Sequence, residues 1–360
     1  MNCRRRSRFV VGTLAGLTII GGSALPALAS GGLAWRVVHR YAPGGYAAYL
    51  SIAASGPHAW AVGSGRSFAA DGVPTAAYFN GRRWSLTHLP GKPQFGELEQ
   101  VSADSPDDAW AIADFVVLHW HEGKWTVART WKPRDGGPPG PLWTGLTALS
   151  PTNVWAFGPT LGTWHLHGRT WTKVAGAGRT IYAASAISAN DMWAIGGKAN
   201  GSLLHYGRGA WHAAPAPGHG TLQFGAILAA AHGRVWVTAS PKNGTGFELL
   251  KLTNTTWTVY KPPGSLPLNV DTFHVSDAAI CQDGHGGFWI TANSTLWYSN
   301  WLLHFSSRRH WTEVPMHKAK VFDVVLNQGT GALRAAGSIP RTQTQFSRTD
   351  AVVWKYKAAR

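Results

Sequence analysis

Apolar and polar residues alternate in short runs along most of this chain, and nearly every run stops at a cluster of Gly, Pro, Asn, Asp or Ser. Period-two alternation predicts β-strands with one side chain in two facing a core, and the spacing of an amphipathic helix is nowhere sustained. With 43 Gly and 21 Pro, long helices have almost nowhere to form. The opening segment differs. Four Arg within residues 1–8 precede an apolar run over residues 9–25 and then Ala27-Leu28-Ala29, the order of a secretory signal peptide. Cleavage after Ala29 is expected, with no stable membrane span left behind, so the protein is expected to be secreted. Arg5-Arg6 is spaced too loosely before Phe9 for a twin-arginine signal, and the general secretory route fits better.

Placed in register, the Trp residues expose a repeat. One motif recurs as Ala59-Trp60-Ala61-Val62-Gly63, Ala109-Trp110-Ala111-Ile112-Ala113, Val154-Trp155-Ala156-Phe157-Gly158 and Met192-Trp193-Ala194-Ile195-Gly196. It drifts at Trp236 and Trp289, and in its seventh copy, Ala332 to Gly337, Leu333 is expected to stand for Trp. A second motif, a polar turn and then Trp, follows at Trp84, Trp125, Trp171, Trp211, Trp257 and Trp311. Its seventh copy is absent after the strand Ala351 to Tyr356 and appears instead at the front, around Trp35. Seven copies of one motif, six of the other and one displaced to the N-terminus describe a closed ring. The expected fold is all-β, a single seven-bladed β-propeller over residues 30–360, with the last blade completed by the N-terminal strand and about 47 residues per blade.

The Trp-Ala-Val-Gly strand and the Gly-x-x-Trp strand, over residues 33–356, resemble secreted bacterial β-propeller repeat proteins of the WD40-like, kelch and galactose-oxidase type. That resemblance implies ligands at the channel mouth, and its members include binders, scaffolds, lyases and oxidases. The chain departs from WD40 repeats in lacking their Gly-His to Trp-Asp pair, and its turns lack the Asp of an Asp-box.

Composition narrows the chemistry. An apolar content of 44% with 20 Trp excludes a disordered tail, and 2 Cys exclude a disulfide framework. Cys3 lies in the signal, so Cys281 is expected to be a buried, inert thiol. The formal charge of +16 loses the four signal Arg and becomes +12 in the mature chain, which still favours an anionic partner. Loops between blades, and between second and third strands, share one face. Candidate ligand contacts there are Trp131, Trp143 and Trp297, which as exposed aromatics would stack on a ligand and otherwise plug the channel mouth, together with Tyr298, Lys132, Arg134, His219, His317 and Lys318.

His119, His165, His205 and His304 recur at one repeat position and are expected to be structural. The same-face pairs His119/His121 and His165/His167 have chelate spacing but no adjacent Cys or carboxylate cluster, so neither metal nor cofactor is expected. No paired carboxylates stand out on the ligand face, and no catalytic residue is assigned. The function expected is a non-catalytic, monomeric binding or scaffold propeller engaging a glycan or anionic polymer, or a partner protein, at the cell envelope. The alternative is an extracellular polysaccharide lyase or hydrolase at the channel mouth, using such groups as His219, His317, Tyr46 and Tyr298. Nucleic acid is not expected as a partner, because the basic residues are dispersed and not gathered in a stripe.

Overall fold

The structure, a computed structural model, describes residues 34–65, 73–91, 96–131, 143–159, 161–174, 180–197, 201–215, 217, 221–231, 233–242, 246–264, 279–293, 300–316, 319–341 and 348–357. The short apolar runs are strands β1 to β28, and the turn clusters separate them. Several outer hairpins close through two residues with positive φ, as at Glu122-Gly123 and Arg208-Gly209, the geometry that matches strand twist in a two-residue hairpin.

The strands form seven antiparallel four-stranded sheets. Blades 1 to 6 are β2–β5 (residues 47–86), β6–β9 (98–130), β10–β13 (145–173), β14–β17 (181–214), β18–β21 (222–260) and β22–β25 (280–314). Blade 7 combines β26 (Lys320–Asn327), β27 (Ala332–Pro340) and β28 (Thr349–Lys357) with β1 (Ala34–Tyr41) as its outer strand. Ala34 pairs with Lys357 and Tyr41 with Ala351, so the displaced N-terminal motif closes the ring. No helix among the described residues is long and apolar enough to cross a membrane.

Seven apolar clusters hold the ring, one in each wedge between neighbouring blades. Alternation along each second strand explains them. The Trp points into the wedge ahead, and the residue before it points into the wedge behind: Trp110 lies between blades 2 and 3, Ala109 between blades 1 and 2. The outer-strand Trp of each blade points backwards. Each of the first six wedges therefore receives an inner Trp from one blade and an outer Trp from the next. Trp110 meets Trp171 with ring centroids 6.2 Å apart, and Trp289 meets Trp35 at 5.2 Å, both edge to face.

The seventh wedge corrects one expectation. Arg334, not Leu333, occupies the Trp position, because it pairs with Val325 and Lys355 as the Trp of other blades pair with their neighbours. Leu333 takes the preceding position and faces blade 6. Arg334 is buried and lies over the Phe79 ring, its guanidinium carbon 4.9 Å from the centroid, a cation standing in for an aromatic.

The first strand of each blade has an inner edge with no strand beside it. Side chains of the preceding blade serve that edge. Asp323 accepts hydrogen bonds from the Ile52 N–H at 2.9 Å and the Ser51 hydroxyl at 2.8 Å. In turn Ser51 accepts from the Val101 N–H at 3.3 Å, and Gln100 from the Leu146 N–H at 2.7 Å. A second row uses Ser102 for the Ala148 N–H and Ser185 for the Ala229 N–H, each at 3.0 Å. Burial pushes the Asp323 carboxyl up to about 6 even though three hydrogen bonds favour its charged form.

Two expectations follow. Trp35→Ala should cost roughly 3 kcal/mol in equilibrium unfolding, since it opens the wedge that closes blade 7; a loss within about 0.5 kcal/mol would contradict the closure. Folded Asp323 keeps its proton to higher pH than the unfolded chain does, so its contribution is full below pH ~4 and is lost as pH rises to about 6. Compared with Asp323→Asn in urea unfolding, the parent should lose relative stability between pH 4 and 7, by up to ~3 kcal/mol. A difference that stays constant with pH would refute it.

Candidate functional site

Of the nine candidate ligand contacts, the structure describes two. Trp131 and Trp143 are 7% and 0% exposed and belong to the apolar wedge between blades 2 and 3, which corrects the expectation that they face solvent. Their rings meet edge to face at 4.7 Å, and Trp131 also packs on Trp164 and Trp171. Arg129 covers Trp131 and Trp164, 4.8 and 4.7 Å from their centroids, so aliphatic stem and cation seal the cluster. The link between blades 2 and 3 thus leaves one sheet and enters the next on paired indoles. Trp297, Tyr298, Lys132, Arg134, His219, His317 and Lys318 lie outside the described residues.

At the opposite end, where first and second strands turn, the recurring His residues find their purpose. In blade 2, on β7 (Asp108–Ala113) and β8 (Val116–His121), Trp110 and His119 face each other across the hairpin. The rings stack at 3.9 Å with 12° between planes, and Asp108 binds both, accepting from the Trp110 Nε1–H at 2.8 Å and lying 2.7 Å from His119 Nε2. Blade 3 repeats the clamp with Asn153, Trp155 and His165. In blade 4 Asp191 binds His205, which stacks on Trp193, but the Trp193 indole N–H is left without a hydrogen-bond partner. In blade 6 Gly287 sits two residues before Trp289, and Asp283 comes in from the turn to reach His304 at 2.8 Å; a Cβ on Gly287 would meet that carboxylate at 2.4 Å. Burial raises Asp283, but bonds from His304 and the backbone N–H groups of His285 and Gly287 outweigh it and leave its pKa below the usual range. These His are structural, as expected from their recurrence.

Blade 2 adds donors to this clamp. His121, two residues beyond His119 on the same strand face, places Nδ1 3.7 Å from Asp108 Oδ2. The donor atoms of Asp108, His119 and His121 all lie within 4.8 Å of one another. The Asp104 carboxylate is buried without a side-chain partner, and burial together with the Asp108 charge pushes it up to about 6 against the pull of the backbone N–H groups of Asp104 and Ser105. Sequence reasoning missed the carboxylate beside the His pair because Asp108 is 11 residues from His119 and only strand pairing unites them. The available signal was the hairpin itself: an acid two residues before Trp110, opposite the end of the His strand.

Cys281 is a free, buried thiol, and burial raises its pKa well above the ordinary value, which suits an inert core residue. Trp131→Ala and Trp143→Ala should each lower unfolding free energy by about 3–5 kcal/mol. Near-parent stability in urea titration would return these indoles to the surface.

No family model matches the chain, and no curated relative matches it. Solved structures do. YCF48 bound to a D1 peptide superposes with a TM-score of 0.62 at 13% identity, covering 93% of this chain and 100% of that one. A catalytically inactive virginiamycin B lyase from Staphylococcus aureus, solved with quinupristin, gives 0.61 at 13% identity over 89% and 99%. The WD40 propeller domain of Doa1 gives 0.59 at 11% identity over 89% and 96%. Binding scaffolds and a lyase share this architecture, so the chain is similar to them in fold as a seven-bladed propeller.

Proposed function

We propose that this chain is an exported, non-catalytic binding propeller whose face of inter-blade and second-to-third-strand loops engages an anionic or glycan polymer, or a partner protein, at the cell envelope. The observation that carries this is how the acids are used. Asp108, Asp191 and Asp283 are held by His, Asp323 is buried between blades, Asp350 is bonded to Arg40 and Arg341, and Glu248 to Lys261. Internal contacts thus absorb much of the small acidic complement, while the mature chain keeps its excess of bases. A positive field of this kind raises the local concentration of anionic partners and weakens with salt. The peptide-bound neighbour fits a binding role for the fold, and specificity then belongs to the loops and not to the blades.

The test is retention of the purified protein on cell-wall and glycan preparations. Retention at about 50 mM salt should fall sharply by about 500 mM, where the Debye length is under half as long. Replacing Lys132, Arg134 and Lys318 together by Glu should reduce retention several-fold with an unchanged melting temperature. No retention at low salt overturns the proposal. Turnover of a polysaccharide panel, abolished by His219→Ala or His317→Ala, would replace it with the lyase or hydrolase.

A further inference from the structure

We infer that Asp108, His119 and His121 on blade 2 bind a divalent transition-metal ion of the zinc type. Two imidazoles and one carboxylate are a donor set that suits borderline cations and leaves coordination positions open. With metal–ligand bonds of about 2.0–2.2 Å, donor atoms around one ion stand roughly 3–3.5 Å apart. Asp108 Oδ2 is 2.7 Å from His119 Nε2 and 3.7 Å from His121 Nδ1, and all three donors lie within 4.8 Å of one another, so an ion requires Asp108 and His119 to part slightly and the half-exposed His121 to swing inward.

The inner donors are already aimed. The Asp108 side chain is 3% exposed; its Oδ1 accepts from the Trp110 indole, and its Oδ2 shares a proton with His119 Nε2 that an ion would displace into solvent on binding between them. The His119 ring is fixed flat on the same indole. Such outer contacts orient ligands before the ion arrives. The His121 side chain is 58% exposed and closes the site from solvent, with its ring stacked on His119 at 5.7 Å and 16°.

The other blades separate what the fold needs from what an ion needs. Blade 3 makes the clamp with a neutral amide, Asn153, so folding does not require the carboxylate. Two residues beyond His205 stands Gly207, and two beyond His304 stands Ser306, so folding does not require the second imidazole. Among the described residues, only blade 2 combines carboxylate, first His and second His.

The experiment is calorimetric titration of the untagged, EDTA-treated protein with Zn²⁺, with Co²⁺ absorption as a second readout. One equivalent should bind, with ligand-field bands of a four- or five-coordinate Co²⁺. His121→Ala should weaken binding at least about tenfold without moving the melting temperature, because that side chain is half exposed. Asp108→Asn keeps the clamp, as blade 3 does, and should also lose the ion. Asn153→Asp should create the same donor set with His165 and His167 and add a second equivalent. A parent that takes up no zinc, or a His121→Ala variant that binds as tightly as the parent, overturns the inference.

Discussion

Neither face of a four-stranded blade can be buried by the blade itself, and the rest of this structure depends on that constraint. Each second strand sends its Trp forward into one wedge and the preceding residue back into another, and each outer strand sends a Trp back. A row of such sheets leaves two apolar faces uncovered at its ends, and a ring leaves none. The closing sheet borrows β1 from the start of the chain, and Trp35 then fills the wedge beside Trp289 as Trp171 fills the one beside Trp110. Closure is thus packing and hydrogen bonding, with no covalent link.

A ring solves the problem of faces and creates one of edges. Seven first strands line the centre without strand partners on their inner side, and unpaired edges are costly and prone to misassociation. Here side chains of one blade serve the backbone of the next, through Asp323, Ser51, Gln100, Ser102 and Ser185. The arrangement draws a carboxylate into the interior, which is why Asp323 holds its proton to about pH 6. It also directs acids inwards, and the same economy is seen in the Trp-His clamps. The blades thus use carboxylates as internal hydrogen-bond partners.

The two ends of the ring consequently differ in kind. Turns between first and second strands carry the clamps, where a repeated structural device acquires in blade 2 the extra groups of a candidate ion site. Trp131 and Trp143 show how far packing reaches into the loops between blades: two indoles with the apolar character of a binding surface are spent on joining blades 2 and 3.

Architecture was legible in the chain because a propeller repeats one local pattern seven times, and strand alternation, turn residues and Trp spacing are all short-range properties. Blade number, closure by the N-terminal strand and the structural role of the recurring His come from that pattern alone. Three things needed the tertiary structure. A one-residue choice, Arg334 or Leu333 at the Trp position, depends on pairing register, which shifts at bulges such as that between Val321 and Asp323. Whether Trp131 and Trp143 face solvent depends on the neighbouring blade that covers them. The meeting of Asp108 with His119 and His121 depends on a hairpin folding back on itself. Sequence period sets which side of a strand a residue occupies; only the packed ring decides what stands opposite it.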